Sequence, residues 1–273
     1  RREYQKGFGR SGSTQMIVCK SQAELEKMHH AGLVIWEVLN DLREMAQPGV
    51  STKDLDDYAE RRTAELKVRP AFKNYRGYPA TLCTSINSEV VHGIPSKSRR
   101  LEEGDIISLD FGTEYAGYYA DAAVTVPVGE IAPELKRLLQ VTREALDLAI
   151  EKVRVGNRLS DISAAVQDWV ERKNGYSVVR DLCGHGIGTH IHEEPNVLNY
   201  GEPGHGLRLQ EGMVFAIEPM VNIGGPEVTV LEDNWTAVTA DGTKSAHFEH
   251  TVAVTSNGPW ILTRPREMQG PSW

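Results

Sequence analysis

The sequence predicts an α/β (α+β) domain of two pseudo-symmetric helix-helix-strand halves, with helices covering the outer face of sheets that meet at the centre. Three features predict it: four amphipathic helical patterns arranged as two pairs, short apolar strand-like runs that meet carboxylates, and a weak internal repeat. With 273 residues, 40% of them hydrophobic and 25% charged, the chain has the composition of a globular protein, which excludes disordered and fibrous architectures.

Arg1 to Gln15 is basic and Gly/Ser-rich without an apolar h-region, so residues 1–20 read as a flexible tail rather than a secretion signal. Ser21-Gln-Ala-Glu24 is a capping box ahead of Leu25, Met28, Ala31, Ile35, Val38, Leu42 and Met45, predicting a long helix that ends at Pro48-Gly49. A second helix starts near Ser51, with Leu55, Tyr58, Ala59 and Leu66 as its apolar stripe and Pro70 beyond its end. Ile106 to Phe111 reads as a strand running into Asp110, and Ala122 to Val126 as a strand led by Asp121. Pro133 opens a third helix that Gly156 closes, and a fourth runs from Ser160 to Asn174-Gly175. Met213 to Met220 carries Glu218, and a strand from His247 to Val254 carries Glu249. Residues 21–264 are expected to form a single domain and 265–273 a C-terminal tail.

The helix pairs superpose with an offset of 107, which places Gly49 on Gly156 and Asp54 on Asp161. At an offset of 100, Cys83, His92 and Pro95 fall on Cys183, His192 and Pro195. Leu101, Gly104 and Asp110 fall on Leu209, Gly212 and Glu218 at 108, and Asp121 falls on Glu249 at 128. Matched apolar residues are common between any two helices, but matched histidines, carboxylates and glycines are not.

Composition also narrows the function. The net charge of −8 disfavours nucleic acid or an anionic membrane as a partner. Cys19, Cys83 and Cys183 are far apart, so neither a disulfide framework nor a paired-cysteine zinc site is written here, and a reducing cytoplasm is the expected location. The most apolar window, Ala31 to Leu39, is broken by Glu37 and is half the length of a membrane span.

A carboxylate inside an apolar strand is unfavourable unless a partner or a cation compensates it. Asp110, Asp121, Glu218 and Glu249 occupy equivalent places in the two halves, and a pseudo-twofold would gather them where they coexist only around bound cations. Taken singly, each has a plainer role as a turn cap or an edge charge; the symmetry argues against four such coincidences. His185, in Cys183-Gly-His-Gly-Ile-Gly188, adds a nitrogen donor flanked by glycines. One imidazole with four carboxylates suits a pair of divalent transition ions, which can polarise a carbonyl and activate a water between them.

Seven separated segments resemble type I methionine aminopeptidase, of the M24 "pita-bread" metallopeptidases. They are Ser88-Glu-Val-Val-His92-Gly-Ile-Pro95, Asp110-Phe-Gly, Asp121-Ala-Ala, Cys183-Gly-His-Gly-Ile-Gly188, His192-Glu-Glu-Pro195, Ile217-Glu-Pro-Met220 and Phe248-Glu-His-Thr251. The resemblance runs from Ser21 to Thr263 and implies the pita-bread fold, with a central antiparallel sheet. It implies a hydrolase that removes N-terminal methionine from nascent proteins and peptides, preferring a small second residue. It also implies two divalent metal ions (Co, Mn, Fe, Zn or Ni) on Asp110, Asp121, His185, Glu218 and Glu249. Asp121 and Glu249 would bridge both ions, Asp110 would complete one shell, and His185 with Glu218 the other. Glu218 is the implied proton shuttle, His192 the donor to the developing oxyanion, and His92 the contact to the scissile amide nitrogen. Together with His92 and His192, Tyr75, Tyr78, Cys83, Ile191 and Trp235 are the implied methionine-binding residues.

The chain departs from many relatives in having Ile191, preceded by His190, where phenylalanine is usual. It lacks the large insertion between Glu218 and Glu249 of type II enzymes. His190, His205, His247 and His250 are expected to be solvated loop or strand histidines. The expected protein is a monomer whose partners are N-terminal methionine peptides, with the ribosome a candidate and neither membrane nor specific nucleic acid among them. The competing readings are an Xaa-Pro peptidase of the same fold, normally with a further N-terminal domain, and a non-catalytic pita-bread binding protein.

Overall fold

The computed structural model describes residues 17–270; residues 1–16, which hold most of the expected N-terminal tail, and 271–273 lie outside the described residues. Four helices arise where the apolar periodicity places them. Helix α1 (Gln22–Met45) starts at the capping box, with the Ser21 N–H donating to the Glu24 carboxylate at 2.7 Å. Helix α2 (Thr52–Glu65) starts at Ser51, whose hydroxyl accepts from the Asp54 N–H. Helix α3 (Pro133–Ile150) has proline in its first turn, and α4 (Leu159–Gln167) widens into a π-helical turn over Asp168–Lys173.

The strands of the first half are β1 (Arg69–Pro70), β2 (Leu82–Ile86), β3 (Glu89–Val91), β4 (Ile106–Tyr115) and β5 (Tyr118–Pro127). Those of the second are β6 (Ser177–Val178), β7 (Gly184–Gly186), β8 (Glu193–Val197), β9 (Val214–Ile217), β10 (Met220–Asn222), β11 (Val228–Val230), β12 (Ala237–Thr239), β13 (Ser245–His247), β14 (His250–Thr255) and β15 (Gly258–Ile261). In the first sheet β4 pairs with β1, β2 and β5; its counterpart runs β15-β14-β9-β7-β8. Two smaller sheets run β13-β10-β6 and β11-β12-β3, and every described pairing is antiparallel. An isolated bridge between Ala123 and Glu249 joins the halves.

The repeat has a direct structural counterpart. Gly49 and Gly156 both adopt left-handed backbone, with φ of 89° and 92°, and their N–H groups donate to Leu101 and Leu209, themselves repeat mates. Ser85 pairs with Ser108, and His185 pairs with Ala216, the same register at the offsets of 100 and 108. The serine hydroxyl accepts from the Gly93 N–H at 3.1 Å, so the first half uses this position as a backbone clamp where the second half has imidazole.

The halves differ at the carboxylates. Strands β4 and β5 continue through Asp110 and Asp121, further than the apolar runs predict. In the second half Glu218 and Glu249 sit at breaks between β9 and β10 and between β13 and β14, where the chain passes from one sheet to another. Pro219 has no N–H to continue the ladder at the first break, and at the second Glu249 pairs with β5 instead. The helices cover the sheets from outside: α1 packs on β4 and β5, and α3 on β9, β10 and β13. Apolar faces such as Leu39, Leu42, Leu138 and Leu146 are fully buried there.

Both expected tails meet structure where they are described. The Lys20 N–H donates to Gly212, and its ammonium pairs with Glu193 at 2.7 Å. Beyond residue 264 the chain makes a short 3-10 turn, Arg266–Met268, and the Gln269 amide pairs with both backbone groups of Ile261.

Candidate metal centre

Asp110 and Asp121 lie on adjacent strands with Asp110 opposite Ala123 and Asp121 opposite Gly112, which puts both side chains on one face as diagonal neighbours. Asp121 is fixed by a threonine of the other half: its N–H donates to the Thr251 hydroxyl at 2.9 Å, and that hydroxyl donates to the Asp121 carbonyl at 2.7 Å. Glu249 is held by its backbone pair with Ala123. Asp110, Asp121 and Glu249 are buried, and Glu218 is nearly so.

His185 stands on β7 against β9. The flanking glycines are required there, because a Cβ at Gly184 would overlap the Ala216 carbonyl and one at Gly186 the Glu194 carbonyl. The imidazole Nδ1–H donates to the Gly186 carbonyl at 2.8 Å, which leaves the Nε2 lone pair bare, 3.5 Å from Glu218 Oε1. Donor atoms of Asp121, His185 and Glu249 all lie within 4.8 Å of one another, as do those of Glu218, His247 and Glu249. Glu249 belongs to both triplets; Asp110 stands beside them on the shared face.

This cluster is unfavourable without a cation. Burial, reinforced by mutual repulsion, pushes the Asp121, Glu218 and Glu249 carboxyls well above the usual range. Burial raises Asp110 as well, to about 7. Asp110 Oδ1, Asp121 Oδ1 and Glu249 Oε1 are buried without a hydrogen-bond partner among the described residues. Burial also pushes His185 down to about 4, so its nitrogen is unprotonated near neutrality. Orphaned carboxylate oxygens around a bare imidazole nitrogen make a donor set that fits divalent transition ions.

Two histidines expected in solvent are buried. His250 begins β14 opposite Ile217 of β9, and its Nδ1 is 2.8 Å from the Thr263 hydroxyl. His247, on β13 opposite Met220, faces the centre with its Nε2 3.8 Å from Glu218 and 3.7 Å from Glu249. The expectation of solvation fails because both lie in strands covered on both faces. The signal that points inward is the His247-x-Glu249 spacing, since alternate strand residues share a face. His190 and His205 are exposed.

His192 is brought against His185, with ring centroids 4.3 Å apart, and its Nδ1 meets the Tyr75 hydroxyl at 2.9 Å beneath a stacked Tyr75 ring. His92, held at a left-handed φ of 62°, turns its ring toward the edge of Trp235 at 6.4 Å. Burial lowers both: His92 to about 4, and His192 to about 2 with help from the neighbouring histidines. Each is a neutral imidazole at pH 7.

Tyr78, Cys83 and Ile191 share one buried apolar cluster, against which Tyr75 and Trp235 pack from the partly open side. Tyr78 also anchors its loop, with its hydroxyl 3.1 Å from the Leu82 carbonyl and 3.0 Å from that of Gly93. Phe72 joins the cluster and was not predictable, since nothing in its local sequence separates it from an ordinary core aromatic. Cys83 lies directly opposite Asp110 in the β2–β4 ladder, so this apolar cluster and the carboxylate cluster adjoin.

Residues 26–256 match the model of metallopeptidase family M24. The chain belongs to that family. Among curated proteins, methionine aminopeptidase of Clostridium acetobutylicum is 52% identical over 248 residues, 91% of this chain and 99% of the relative. Methionine aminopeptidase 1 of Bacillus subtilis is 49% identical over 249 residues, 91% of this chain and all of the relative. The crystal structure of methionine aminopeptidase from Thermotoga maritima superposes with a TM-score of 0.90 at 47% identity, covering 92% of this chain and 100% of that one. Prolidase of Pyrococcus furiosus, at 23% identity and a TM-score of 0.73, shares the fold; the match covers 91% of this chain and 66% of the prolidase. The M24 chain is thus an α/β pita-bread protein of a metal-dependent peptidase family. None of its described helices is long and apolar enough to cross a membrane.

Proposed function

We propose that this chain is a methionine aminopeptidase, a hydrolase that uses two divalent ions to remove N-terminal methionine from nascent proteins and peptides. A small second residue is preferred, and the enzyme acts in the cytoplasm as a monomer. The observation that carries this reading is an adjacency: Cys83, in an apolar cluster that also holds Tyr78 and Ile191, stands opposite Asp110 of the carboxylate cluster. A side chain the size of methionine seated against Tyr78, Cys83, Ile191 and Trp235 would leave its own amine and carbonyl over the carboxylates. The high identity to enzymes named methionine aminopeptidase supports the same substrate.

Ions held by Asp110, Asp121, His185, Glu218 and Glu249 would polarise the scissile carbonyl and acidify a water. The chain's own groups divide the remaining work. Glu218, the most accessible of the four carboxylates, would take the proton from the attacking water and deliver it to the departing amine. Neutral His192, its Nδ1 occupied by Tyr75, would present Nε2 to the oxygen on which charge develops. His92 would contact the scissile amide nitrogen, and its constrained backbone fixes that approach.

Mass spectrometry of Met-Ala-Ser after incubation with the metal-loaded protein tests this directly, with Xaa-Pro peptides alongside. Release of methionine alone is the expected result. Cleavage confined to Xaa-Pro bonds would establish the prolidase reading, and no cleavage despite bound metal would establish the binding-protein one.

A further inference from the structure

One buried group at the centre has no role among the five donors considered so far. His247 is 1% exposed, and neither ring nitrogen meets a hydrogen-bond partner among the described residues. Buried polar side chains are rarely left in that condition unless a water or ion completes them. Its Nε2 lies 3.8 Å from Glu218 Oε2 and 3.7 Å from Glu249 Oε2, beyond hydrogen-bonding distance. Those separations resemble the 3.5 Å between His185 Nε2 and Glu218 Oε1. Donors about 2.0–2.2 Å from one cation stand at roughly such distances from each other. The backbone cannot carry the ring away: the His247 N–H donates to the Thr125 hydroxyl at 2.8 Å, and that hydroxyl is 2.8 Å from the His247 carbonyl.

We propose that His247 is a second imidazole ligand of the centre, binding through Nε2 the same cation that Glu218 and Glu249 hold. Its repeat mate at the offset of 128 is Tyr119, so the added nitrogen, like that of His185, comes from the second half alone. A second imidazole moves the donor set toward cobalt, nickel and zinc and away from manganese, which favours oxygen. The inference rests on the metal reading above and adds a donor to it.

Proton NMR of the full chain loaded with Co²⁺ tests it without recourse to activity. An imidazole bound to cobalt through Nε2 carries an exchangeable Nδ1–H that the unpaired electrons shift far outside the normal range. Two such protons are expected, and His247→Gln should lose one while His192→Ala keeps both. By calorimetry, Co²⁺ should bind His247→Gln at least ~10-fold more weakly at one site, with a smaller loss for Mn²⁺. A single shifted exchangeable proton in the unaltered, metal-loaded protein overturns the proposal whether or not the variant folds, as does survival of both in folded His247→Gln. Absence of any bound ion would bring down the metal reading and this inference together, whereas bound ions with one imidazole signal would remove only the inference.

Discussion

Thr251 and Asp121, from opposite halves of the molecule, hold each other through a reciprocal pair of hydrogen bonds in which one hydroxyl satisfies both backbone groups of the aspartate. The Asp121 carboxylate is therefore aimed by a residue 130 positions away in sequence. Thr251→Val keeps the volume and leaves a buried N–H and carbonyl unpaired, at about 1–3 kcal/mol of stability. Metal affinity should fall by about 10- to 100-fold. Chemical denaturation of the metal-free protein and metal titration measure the two effects, and Thr251→Ser should restore most of both.

Asp121→Asn tests the cluster as a charge trap. Burial and the adjacent Glu249 and Asp110 raise the Asp121 carboxyl, so the substitution relieves repulsion in the metal-free protein while removing a charged donor. The metal-free variant should unfold at a temperature equal to or above that of the parent, and its metal content after dialysis should fall by at least ~10-fold. A lower melting temperature together with undiminished metal content would contradict both halves of this account.

Acidity should control metal binding through the carboxylates and not the imidazoles. Asp110 is raised to about 7 and its three neighbours are raised too, whereas His185 is lowered to about 4 and His247 to about 3. Above about pH 5 the nitrogens are therefore bare, and a metal competes only with protons on oxygen. For the metal-free protein, carboxyls raised above their unfolded values contribute stability that is present at low pH and lost as pH rises through the folded value. The gap in melting temperature between metal-loaded and chelated protein should widen as pH rises from about 5.5 to about 8. Scanning calorimetry across that range measures it, and a constant gap would refute the assignment.

His192→Ala should lower kcat by about 100-fold or more, with a small effect on stability, because it removes a donor needed only as charge develops. Tyr75→Phe removes the partner of His192 Nδ1 but keeps the stacked ring, so kcat should fall less, by about 3- to 10-fold, with KM for methionyl peptides little changed. Steady-state kinetics on Met-Ala-Ser separates the two.

Much of this architecture can be read before any coordinates are known. The capping box at Ser21 and the proline at 133 locate two helix starts, because local hydrogen bonds and fixed φ act within a few residues. The four carboxylates are legible because each interrupts an apolar run and recurs at a fixed offset. What stays hidden depends on pairing across long distances. Nothing near Asp121 announces Thr251, and the sheet changes at Glu218 and Glu249 follow from which neighbour wins the backbone hydrogen bonds. His247 is misread as solvated because its spacing from Glu249 shows which face it shares but not that both faces of its strand are covered. The Tyr75–His192 contact joins a loop to a distant turn, and sequence gives each partner without giving their meeting.

The exchange of roles between Ser85 and His185 has a consequence for the kind of molecule this centre can read. Duplication alone would make a centre that looks the same from either side, equally ready to receive a chain forwards or backwards. Because one arm closes on its own backbone through the Ser85 hydroxyl and the other reaches inward with the His185 ring, the centre acquires a left and a right. A peptide has a beginning and an end, and a centre with unlike sides can tell them apart.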